Sequence, residues 1–328
     1  MRIMIAGGAG YVGSHTTRLL AEAGHETWVY DNLSRGHQGA VLPGQLIRGE
    51  LEDRPLLESV LREKRIEAVM HFAAFIEVGE SVVDPARYYQ NNLVATLSLL
   101  EAMRSVGVQR LVFSSTAATY GEPETIPIPE DTPQKPINPY GFTKLVVEHA
   151  LADYAAAYNL GYAALRYFNA SGASPSGQIG EDHRPESHLI PLVLQVALGQ
   201  RKEIRIFGDD FPTPDGTCIR DYVHVNDIGQ AHILALSRLE PGVQLKYNLG
   251  VGQGFSVRQV IDACRTVTGH PIPAVVTPRR DGDAPVLIAD STKVREELHW
   301  VPQFDQLEAT VETAWRWHRS HPHGYADA

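Results

Sequence analysis

A tyrosine and a lysine, Tyr140 and Lys144, stand four positions apart in the segment YGFTK. Asn138-Pro139 before them is typical of a helix start, and residues four apart share one helix face, so both side chains can reach one site. A phenol with its unperturbed pKa of about 10 is a poor base at neutral pH, and a neighbouring cation favours the phenolate. The pair therefore predicts a general base, with Tyr140 and Lys144 as catalytic residues.

Hydroxyl residues come before this helix, at the end of an apolar run. Residues Arg110 to Phe113 indicate a buried strand, and Ser114-Ser115-Thr116 follows it. Ligands bind at the carboxyl ends of strands in open parallel sheets, so we expect these hydroxyls beside Tyr140. The YxxxK spacing alone is common on amphipathic helices, and the strand end with its hydroxyls is what favours a reactive site.

Three glycines, Gly7, Gly10 and Gly13, follow the apolar run Ile3 to Ala6 and precede a stretch with helical periodicity. In that setting the first glycine permits a tight turn, the second lets the backbone approach a pyrophosphate, and the third allows close packing of helix and sheet. The N-terminus of the helix also faces the anion. The loop therefore predicts a dinucleotide site.

An acidic residue, Asp31, ends the next strand, eighteen positions after Gly13. A carboxylate at this point accepts hydrogen bonds from the adenosine ribose hydroxyls and repels a 2′-phosphate, so the pattern favours NAD over NADP. Arg35 is near enough to receive a 2′-phosphate, and that alternative stays open.

The elements that must position these residues follow an alternating βαβ rhythm. We predict an α/β fold with a doubly wound parallel (Rossmann) sheet of about six strands or more, and a smaller C-terminal substrate lobe. The NAD-binding domain is expected over 1–170, joined by return segments from about 218–240, and the lobe mainly over 171–328. Predicted strands are 3–6, 26–30, 45–48, 68–72, 110–113 and 162–167, and predicted helices are 12–23, 55–63, 87–105, 139–158, 189–198, 225–236, 257–267 and 307–318.

Composition and charge exclude several classes of protein. Of 328 residues, 43% are hydrophobic and 21% charged, which is typical of a fully folded globular chain. The formal net charge is −10 without any basic run, so we expect no nucleic-acid partner. No stretch approaches the ~20 apolar residues of a membrane span, and the N-terminus enters a strand directly, so we expect no membrane contact and a cytoplasmic location.

Neither a disulfide nor a metal site is predicted. Cys218 and Cys264 are far apart in the sequence. His318, His321 and His323 come closest to a metal cluster, but they lie near the C-terminus without carboxylate or cysteine partners.

With these motifs the chain resembles the extended short-chain dehydrogenase/reductases, and within them it is most similar to the UDP-glucose 4-epimerases. The resemblance spans nearly the whole chain. Its last two motifs lie in the predicted substrate lobe, so they indicate the class of substrate rather than the fold. The motifs are Gly7 to His15, Asp31 to Ser34, His71 to Ala74, Val78 to Ser81, Asn91-Asn92, Ser114 to Thr116 with Tyr120-Gly121, Tyr140 to Lys144, Arg166 to Asn169, Asp215 to Val225, and Arg279 to Asp283.

The resemblance implies an NAD-dependent isomerase that acts on a UDP-hexose and interconverts UDP-galactose and UDP-glucose. Tyr140 would take the proton of the sugar 4-hydroxyl while the C4 hydride passes to NAD. Lys144 would hold the nicotinamide ribose and lower the tyrosine pKa, and Thr116 would hydrogen-bond the 4-oxygen. The 4-keto sugar would then turn and take the hydride back on its other face, which requires a firmly held nucleotide and a loosely held hexose. A homodimer is also expected.

The predicted cofactor residues cluster at the carboxyl ends of the first strands and on the helix that carries Tyr140. They are Gly7, Gly10, Tyr11, Val12, Gly13, Asp31, Asn32, Leu33, Ser34, Arg35, Gly36, Glu50, Leu51, Phe72, Ala73, Ala74, Asn91, Ser114, Tyr140, Lys144 and Phe168.

For the substrate, Arg220 and Arg280 are suited to a diphosphate, because the guanidinium fork matches phosphate oxygens. The resemblance implies that Asp283 accepts hydrogen bonds from the nucleotide ribose and that Phe207 lines the uracil. The full predicted set is Thr116, Tyr140, Asn169, His188, Leu189, Ile206, Phe207, Arg220, Tyr222, Arg280, Asp283 and Leu287.

Three positions depart from the family pattern. Glu50 stands where Asp is common beside the adenine, and His188 stands where an Asn commonly contacts the substrate. Leu287 stands where some members have a tyrosine and others a small residue, which decides between excluding and admitting N-acetylated sugars. Leucine is intermediate in size, so acceptance of those sugars stays open.

Three other functions share part of this pattern of motifs. Nucleotide-sugar 4,6-dehydratases place an Asp-Glu pair directly after the strand hydroxyl, whereas Ala117-Ala118 follows Thr116 here. Epimerases of UDP-N-acetylhexosamines, UDP-pentoses or UDP-uronates share the same machinery and stay open. A non-catalytic NAD-binding redox sensor has no need for Tyr140, Lys144 and Thr116 together.

Overall fold

Seven parallel strands form the central sheet of the computed structural model, which describes residues 1–42, 45–280 and 283–326. In chain order, the strands of this sheet and of the smaller sheets are β1 (Arg2–Ala6), β2 (Glu26–Asp31), β3 (Leu46–Arg48), β4 (Ala68–His71), β5 (Arg110–Thr116), β6 (Gly161–Tyr167), β7 (Asn169–Ser171), β8 (Ile204–Phe207), β9 (Ile219–His224), β10 (Gln244–Leu249), β11 (Gly254–Ser256), β12 (Ala274–Thr277) and β13 (Val286–Leu287). The sheet order is β10-β6-β5-β4-β1-β2-β3.

Helices cover both faces of this sheet and build the second lobe. They are α1 (Tyr11–Glu22), α2 (Arg54–Glu63), α3 (Val78–Val83), α4 (Pro85–Tyr88), α5 (Ala95–Val106), α6 (Pro139–Tyr158), α7 (Leu189–Ala197), α8 (Val225–Ser237), α9 (Val257–Thr268), α10 (Thr292–Leu298) and α11 (Leu307–Ser320).

The predicted doubly wound α/β fold is confirmed. Strand order reverses between β1 and β4, the arrangement that opens a crevice for ligands at the carboxyl ends of the strands. Strands β1 to β6 fall on the six predicted runs, and β5 continues past Phe113 to Thr116. The seventh strand, β10, was not predicted, because its sequence QLKYNL mixes polar with apolar residues at the sheet edge.

Two apolar layers sandwich the sheet because alternate side chains of each strand point to opposite faces. In β1, Met4 packs into the layer beneath α2, α5 and α6, whereas Ile3 and Ile5 pack into the layer beneath α8. The second layer also contains Trp300, whose Nε1 donates to Asp227 O at 2.9 Å. These layers hold the strand ends rigidly enough to present a site.

The predicted helix over 87–105 is divided in the structure. A π-helical turn, Tyr89–Val94, joins α4 to α5. Within it, Asn92 accepts a hydrogen bond from Phe75 N at 2.8 Å and donates one to Phe75 O at 2.9 Å. The turn therefore fixes the loop that follows β4, at the ligand-binding edge of the sheet.

The C-terminal half supplies a second lobe and part of the central sheet. Strand β9 pairs with β7, β11 and β13, β8 pairs with β12, and α7, α9 and α11 pack around a separate apolar core. Strand β10 joins the central sheet beside β6, and α8 packs on it. The division near residue 170 stays a prediction. No helix in the described part of the chain is long and apolar enough to cross a bilayer.

Candidate active site

The turn between β1 and α1 runs directly against neighbouring backbone. Gly7 has φ 79°, and a Cβ at this residue would lie 2.3 Å from Ala73 N. A Cβ on Gly13 would lie 2.3 Å from Gly7 O. No side chain among the described residues caps the start of α1 at Tyr11, so its first amides can face an anion. The glycines thus leave a backbone cradle that suits a pyrophosphate.

The Asp31 carboxylate is buried at the end of β2 and held by backbone amides. Its Oδ2 accepts from Ala9 N at 3.0 Å, and its Oδ1 accepts from Leu33 N at 2.8 Å. Burial raises the pKa of Asp31, although these two hydrogen bonds oppose the rise. Next to it, Asn32 Nδ2 donates to Glu50 Oε2 at 2.8 Å. The acid is thereby oriented before any ligand arrives.

Arg35, the residue that could receive the 2′-phosphate of NADP, already contacts two other residues of the protein. Its Nη2 lies 3.3 Å from Glu80 Oε2, and its Nη1 donates to Arg184 O at 2.9 Å. Glu80 also pairs with Arg87, 2.5 Å from Arg87 Nη1 to Glu80 Oε1, so it balances the charge of Arg35 only in part.

A cavity of about 110 Å³ opens beside the glycine turn, and most of the predicted cofactor residues line it. These are Gly7, Gly10, Asp31, Asn32, Ser34, Arg35, Gly36, Glu50, Leu51, Phe72, Ala73, Ala74 and Asn91. Tyr30, Gly49, Glu52, Phe75 and Ala95 also line it and were not predicted, although most of them adjoin predicted residues along the chain.

The remaining predicted cofactor residues lie outside this lining, and they are Tyr11, Val12, Gly13, Leu33, Ser114, Tyr140, Lys144 and Phe168. Tyr11 instead donates its hydroxyl to Gly172 O at 2.6 Å, which ties the glycine turn to the segment after β7. Gly13 and Leu33 act through their backbones, Gly13 against Gly7 and Leu33 on the Asp31 carboxylate.

The three predicted catalytic residues meet at the carboxyl end of β5. Helix α6 begins at Pro139, and the Asn138 side chain caps it by accepting from Gly141 N at 2.8 Å. This start places the Tyr140 hydroxyl in hydrogen-bond contact with the Thr116 hydroxyl. One turn further along, Lys144 Nζ donates to Ser114 O at 2.8 Å.

The charges of this pair differ from the sequence expectation. Burial raises the pKa of Tyr140 to about 12, with Glu77 adding to the rise and the Thr116 hydrogen bond opposing it. Burial also lowers the pKa of Lys144 to about 7, against the attraction of Glu148. Neither group shifts the pKa of the other. The expectation that Lys144 and the oxidised nicotinamide together favour the phenolate stays a prediction for the NAD-bound enzyme. The protein alone keeps the phenol protonated at neutral pH.

A buried ion pair supports the reactive residues and was not predicted. Glu148 Oε2 and Arg166 Nη2 lie 2.5 Å apart, and each side chain is 2% exposed. Glu148 also accepts from Ser115 Oγ at 2.5 Å. The signal was present in the sequence, because Glu148 follows Lys144 at the same four-residue spacing on α6.

A second cavity, of about 630 Å³, is lined by residues of the C-terminal half, from Asn169 to Asp283. The predicted substrate residues that line it are Asn169, His188, Leu189, Phe207, Arg220, Tyr222, Arg280 and Asp283. Three cations, Arg201, Lys202 and Arg205, also line it and were not predicted. With Arg220 and Arg280 the lining has five cationic side chains against three carboxylates, Glu181, Glu203 and Asp283, so positive charge is in excess, as an anionic ligand requires.

The two arginines that are predicted to bind the diphosphate both lie near one carboxylate. Arg280 Nε lies 3.1 Å from Asp283 Oδ2, and Arg220 Nη2 lies 3.8 Å from Asp283 Oδ1. The Arg280 guanidinium also stacks 4.7 Å from the centre of the Phe207 ring. Asp281 and Gly282 of the same motif lie outside the described residues.

Four predicted substrate residues lie outside the lining of this cavity: Thr116, Tyr140, Ile206 and Leu287. The side chain of Ile206 is a core residue, because alternation along β8 turns it inward beside Ile204. Leu287 packs against the apolar cluster of Ala117, Tyr120 and Ile128 that follows Thr116, and the pairing of β13 with β9 places its backbone opposite Arg220.

Comparison with known proteins decides the family. A model described as the NAD dependent epimerase/dehydratase family matches residues 3–250. The chain belongs to this family. It is 54% identical to a UDP-glucose 4-epimerase of Halalkalibacterium halodurans over 327 residues, 99% of this chain and 98% of the relative.

Solved structures agree with this assignment to the epimerase/dehydratase family. A UDP-glucose 4-epimerase from Brucella ovis in complex with NAD has a TM-score of 0.93 and 48% identity, covering 96% of this chain and 97% of that one. Another, from Bifidobacterium longum in complex with NAD+ and UDP, has a TM-score of 0.95 and 38% identity, covering 99% and 100%.

The chain's own residues fit the NAD of this epimerase/dehydratase family. The uncapped start of α1 leaves its first amides available where a Cβ on Gly13 would clash, and the carboxylate of Asp31 is pre-oriented at the end of β2. When NAD is bound it supplies a hydride acceptor and, in its oxidised form, a positive ring. The assignment of each binding residue stays a prediction.

We expect Gly13→Ala to weaken NAD binding ~10-fold or more, because overpacking at backbone contact costs ~1–3 kcal/mol. The NAD-to-protein ratio after purification and the Kd from calorimetry test this. Gly79→Ala in α3 is the control, since a Cβ there meets nothing within 4 Å. Equal NAD affinity in the two variants would show that the Gly13 approach does not matter.

Proposed function

We propose that this enzyme interconverts UDP-galactose and UDP-glucose by NAD-dependent 4-epimerisation. The observation that carries the proposal is the Tyr140 to Thr116 contact at the carboxyl end of β5, in a chain that also has a dinucleotide cradle and an arginine-lined cavity. Family membership and the UDP-glucose 4-epimerase relatives support the same reaction.

Each reactive side chain has a defined task in this reaction. Tyr140 takes the proton of the sugar 4-hydroxyl while the C4 hydride leaves the sugar, and it returns that proton to the 4-oxygen once the hydride has come back. Thr116 shares the proton with Tyr140 and orients the 4-oxygen. Lys144, fixed on Ser114 O, holds the nicotinamide ribose. The sugar regains both atoms, so no net oxidation occurs.

The cavity supports firm binding of the nucleotide and loose binding of the hexose. Arg220 and Arg280 offer two guanidinium groups to a diphosphate, and their bond to Asp283 keeps them in place until a ligand arrives. Around Thr116 the neighbours are apolar, with Phe168 and Leu287 packed against Ala117. A sugar with few polar partners can turn between the two hydride transfers.

Dehydration is not favoured by the same geometry. Removal of water across C5 and C6 needs an acid and a base beside the strand end. Ala117, which follows Thr116, packs in an apolar cluster. UDP-N-acetylhexosamines, UDP-pentoses and UDP-uronates share the 4-hydroxyl chemistry, and the size of Leu287 bears on the N-acetylated sugars alone.

The purified protein, with no cofactor added, should convert UDP-galactose to UDP-glucose using NAD that co-purifies with it. Tyr140→Phe should lower kcat ~100-fold or more while retaining NAD, because a positioned general base contributes ~10²–10⁴-fold. Chromatography of the two UDP-sugars and absorbance of NADH give both readouts.

The control is Tyr158→Phe, which removes the hydroxyl of an exposed tyrosine at the far end of α6. Net NADH accumulation in the wild type would indicate a dehydrogenase. A Tyr140→Phe variant as active as the Tyr158→Phe control would remove Tyr140 from the mechanism.

Leu287 should limit the size of the sugar substituent, so we expect weak activity at most with UDP-N-acetylgalactosamine. Leu287→Tyr should reduce the ratio of its kcat/KM to that of UDP-galactose ~10-fold, by filling space beside the hexose. Val286→Ala is the control, because adjacent strand residues point to opposite faces. If Leu287→Tyr leaves the ratio of the two kcat/KM values unchanged, Leu287 does not limit the size of the sugar substituent.

We propose that two copies associate through an exposed apolar surface on α3 and α6. Val82 and Val83 on α3 are 62% and 86% exposed, and Phe142 on the adjoining α6 is 45% exposed. Such a contiguous surface favours association. Homodimer formation stays a prediction that the family resemblance supports. The cytoplasmic location also stays a prediction.

Sedimentation should therefore give the mass of a dimer for the wild type. Val83→Glu should shift the protein toward monomer, because association would bury the introduced charge. Val301→Glu, at a 65% exposed valine elsewhere on the chain, should not. Identical masses for the two variants would place the interface on another surface.

A further inference from the structure

Two histidines and two glutamates converge in the segment between β7 and α7. They are Glu181, His183, Glu186 and His188, and their ligand atoms all lie within 4.8 Å of one another. Residues 1–42, 45–280 and 283–326 contain no second group of three or more His, Cys, Asp or Glu with this convergence. Nothing in the proposed epimerase reaction uses the four residues as a unit.

The His–Glu separations are close to those of ligands around one metal ion, and the group, within 4.8 Å overall, would have to contract on binding. His183 Nδ1 lies 3.2 Å from Glu181 Oε1 and 3.7 Å from Glu186 Oε2. His188 Nδ1 lies 3.0 Å from Glu181 Oε1 and 2.9 Å from Glu186 Oε1. Zinc bonds of ~2.0–2.1 Å in tetrahedral geometry put neighbouring ligands ~3.3 Å apart, so only small shifts are needed.

A buried nitrogen within the cluster lacks a hydrogen bond. The Nδ1 of His183 is shielded from solvent, and although it is near Glu181 the angle does not form a hydrogen bond. Buried ring nitrogens are normally satisfied, so this one calls for a partner. The carboxylate of Glu181 is also buried, with 4% of the residue exposed. An ion among the four side chains would satisfy both.

The charges of the four side chains suit a divalent ion. One such ion with two neutral imidazoles would balance the carboxylates of Glu181 and Glu186. The centres of the His183 and His188 rings lie 4.9 Å apart.

We propose that Glu181, His183, Glu186 and His188 form a closed site for one divalent transition-metal ion, with zinc the best match. Imidazole and carboxylate are zinc ligands, and four protein ligands with no open position are typical of a structural rather than a catalytic site. No metal site was predicted from the sequence, in which the C-terminal histidines come closest to a metal cluster.

The position of the site gives the ion a structural task. The ring of His183 lies edge-on to Tyr11 of the glycine turn, 6.2 Å between centres, and Arg184 O receives Arg35 of the cofactor cavity. At the other end, His188 directly precedes α7 and lines the substrate cavity. The ion therefore fixes the segment that connects the cofactor cradle to the nucleotide cavity.

Metal content of the untagged holoenzyme tests the site directly. After gel filtration in metal-free buffer, elemental analysis should find about one zinc ion per chain in the wild type. His183→Gln and Glu186→Gln should bind zinc ~10- to 100-fold more weakly or worse, since even the loss of a ligand's hydrogen-bond partner costs that much. His270→Gln, at an exposed histidine on the second lobe, should retain the metal.

A second measurement guards against variants that fail to fold. Wild-type protein stripped with a chelator should regain its Tm with Zn²⁺ and show the intense visible bands of tetrahedral Co²⁺ with Co²⁺, while its NAD content reports folding. The proposal is overturned if stripped wild type takes up neither ion more tightly than His183→Gln. It is also overturned if His270→Gln and His183→Gln lose metal alike. Neither result depends on epimerase activity.

Discussion

The attachment of α6 to β5 and β6 through buried polar contacts determines the chemistry of the site. Lys144 Nζ donates to Ser114 O at 2.8 Å, and Glu148 receives Ser115 Oγ at 2.5 Å and Arg166 Nε at 3.0 Å. Since Lys144 and Glu148 follow Tyr140 at four-residue spacing, all three lie on one helix face. An intact buried ion pair adds little net stability, but loss of one partner costs ~3–5 kcal/mol. The network therefore fixes position more than it adds stability.

Two differently built cavities lie apart from that helix face, since no residue of α6 is in the lining of either one. In one, glycine backbone and the Asp31 carboxylate form a rigid polar cradle. In the other, Arg220 and Arg280 supply positive charge, whereas Ala117, directly after Thr116, packs in an apolar cluster. A ligand bound by its diphosphate and not by its sugar matches this distribution. The proposed reaction needs the same asymmetry, because the sugar has to present both faces to one hydride acceptor.

Much of this could be predicted from the sequence, and the exceptions share a cause. Strands β1 to β6 are short apolar runs because both faces of a parallel sheet are covered. Strand β10 becomes a strand only by pairing with β6 at the edge. The glycine turn and Tyr140 to Lys144 could be recognised because their roles follow from local geometry. The Glu181 to His188 cluster could not, because its irregular spacing lies in a segment without periodicity and only the fold brings the side chains together.

The ionisation states of the site residues are also among the features that could not be predicted from the sequence. They determine when Tyr140 can accept a proton. Burial, which no local pattern reveals, places the pKa of Tyr140 at about 12 and that of Lys144 at about 7 in the protein alone. Tyr140 is therefore a weak acid until a further positive charge lies nearby, and the oxidised nicotinamide provides that charge. In the proposed reaction, Tyr140 would be a base while the nicotinamide is oxidised and a proton donor once the ring is neutral. Desolvation of Tyr140 would then couple proton transfer to hydride transfer in both directions, as a reaction with no net oxidation requires.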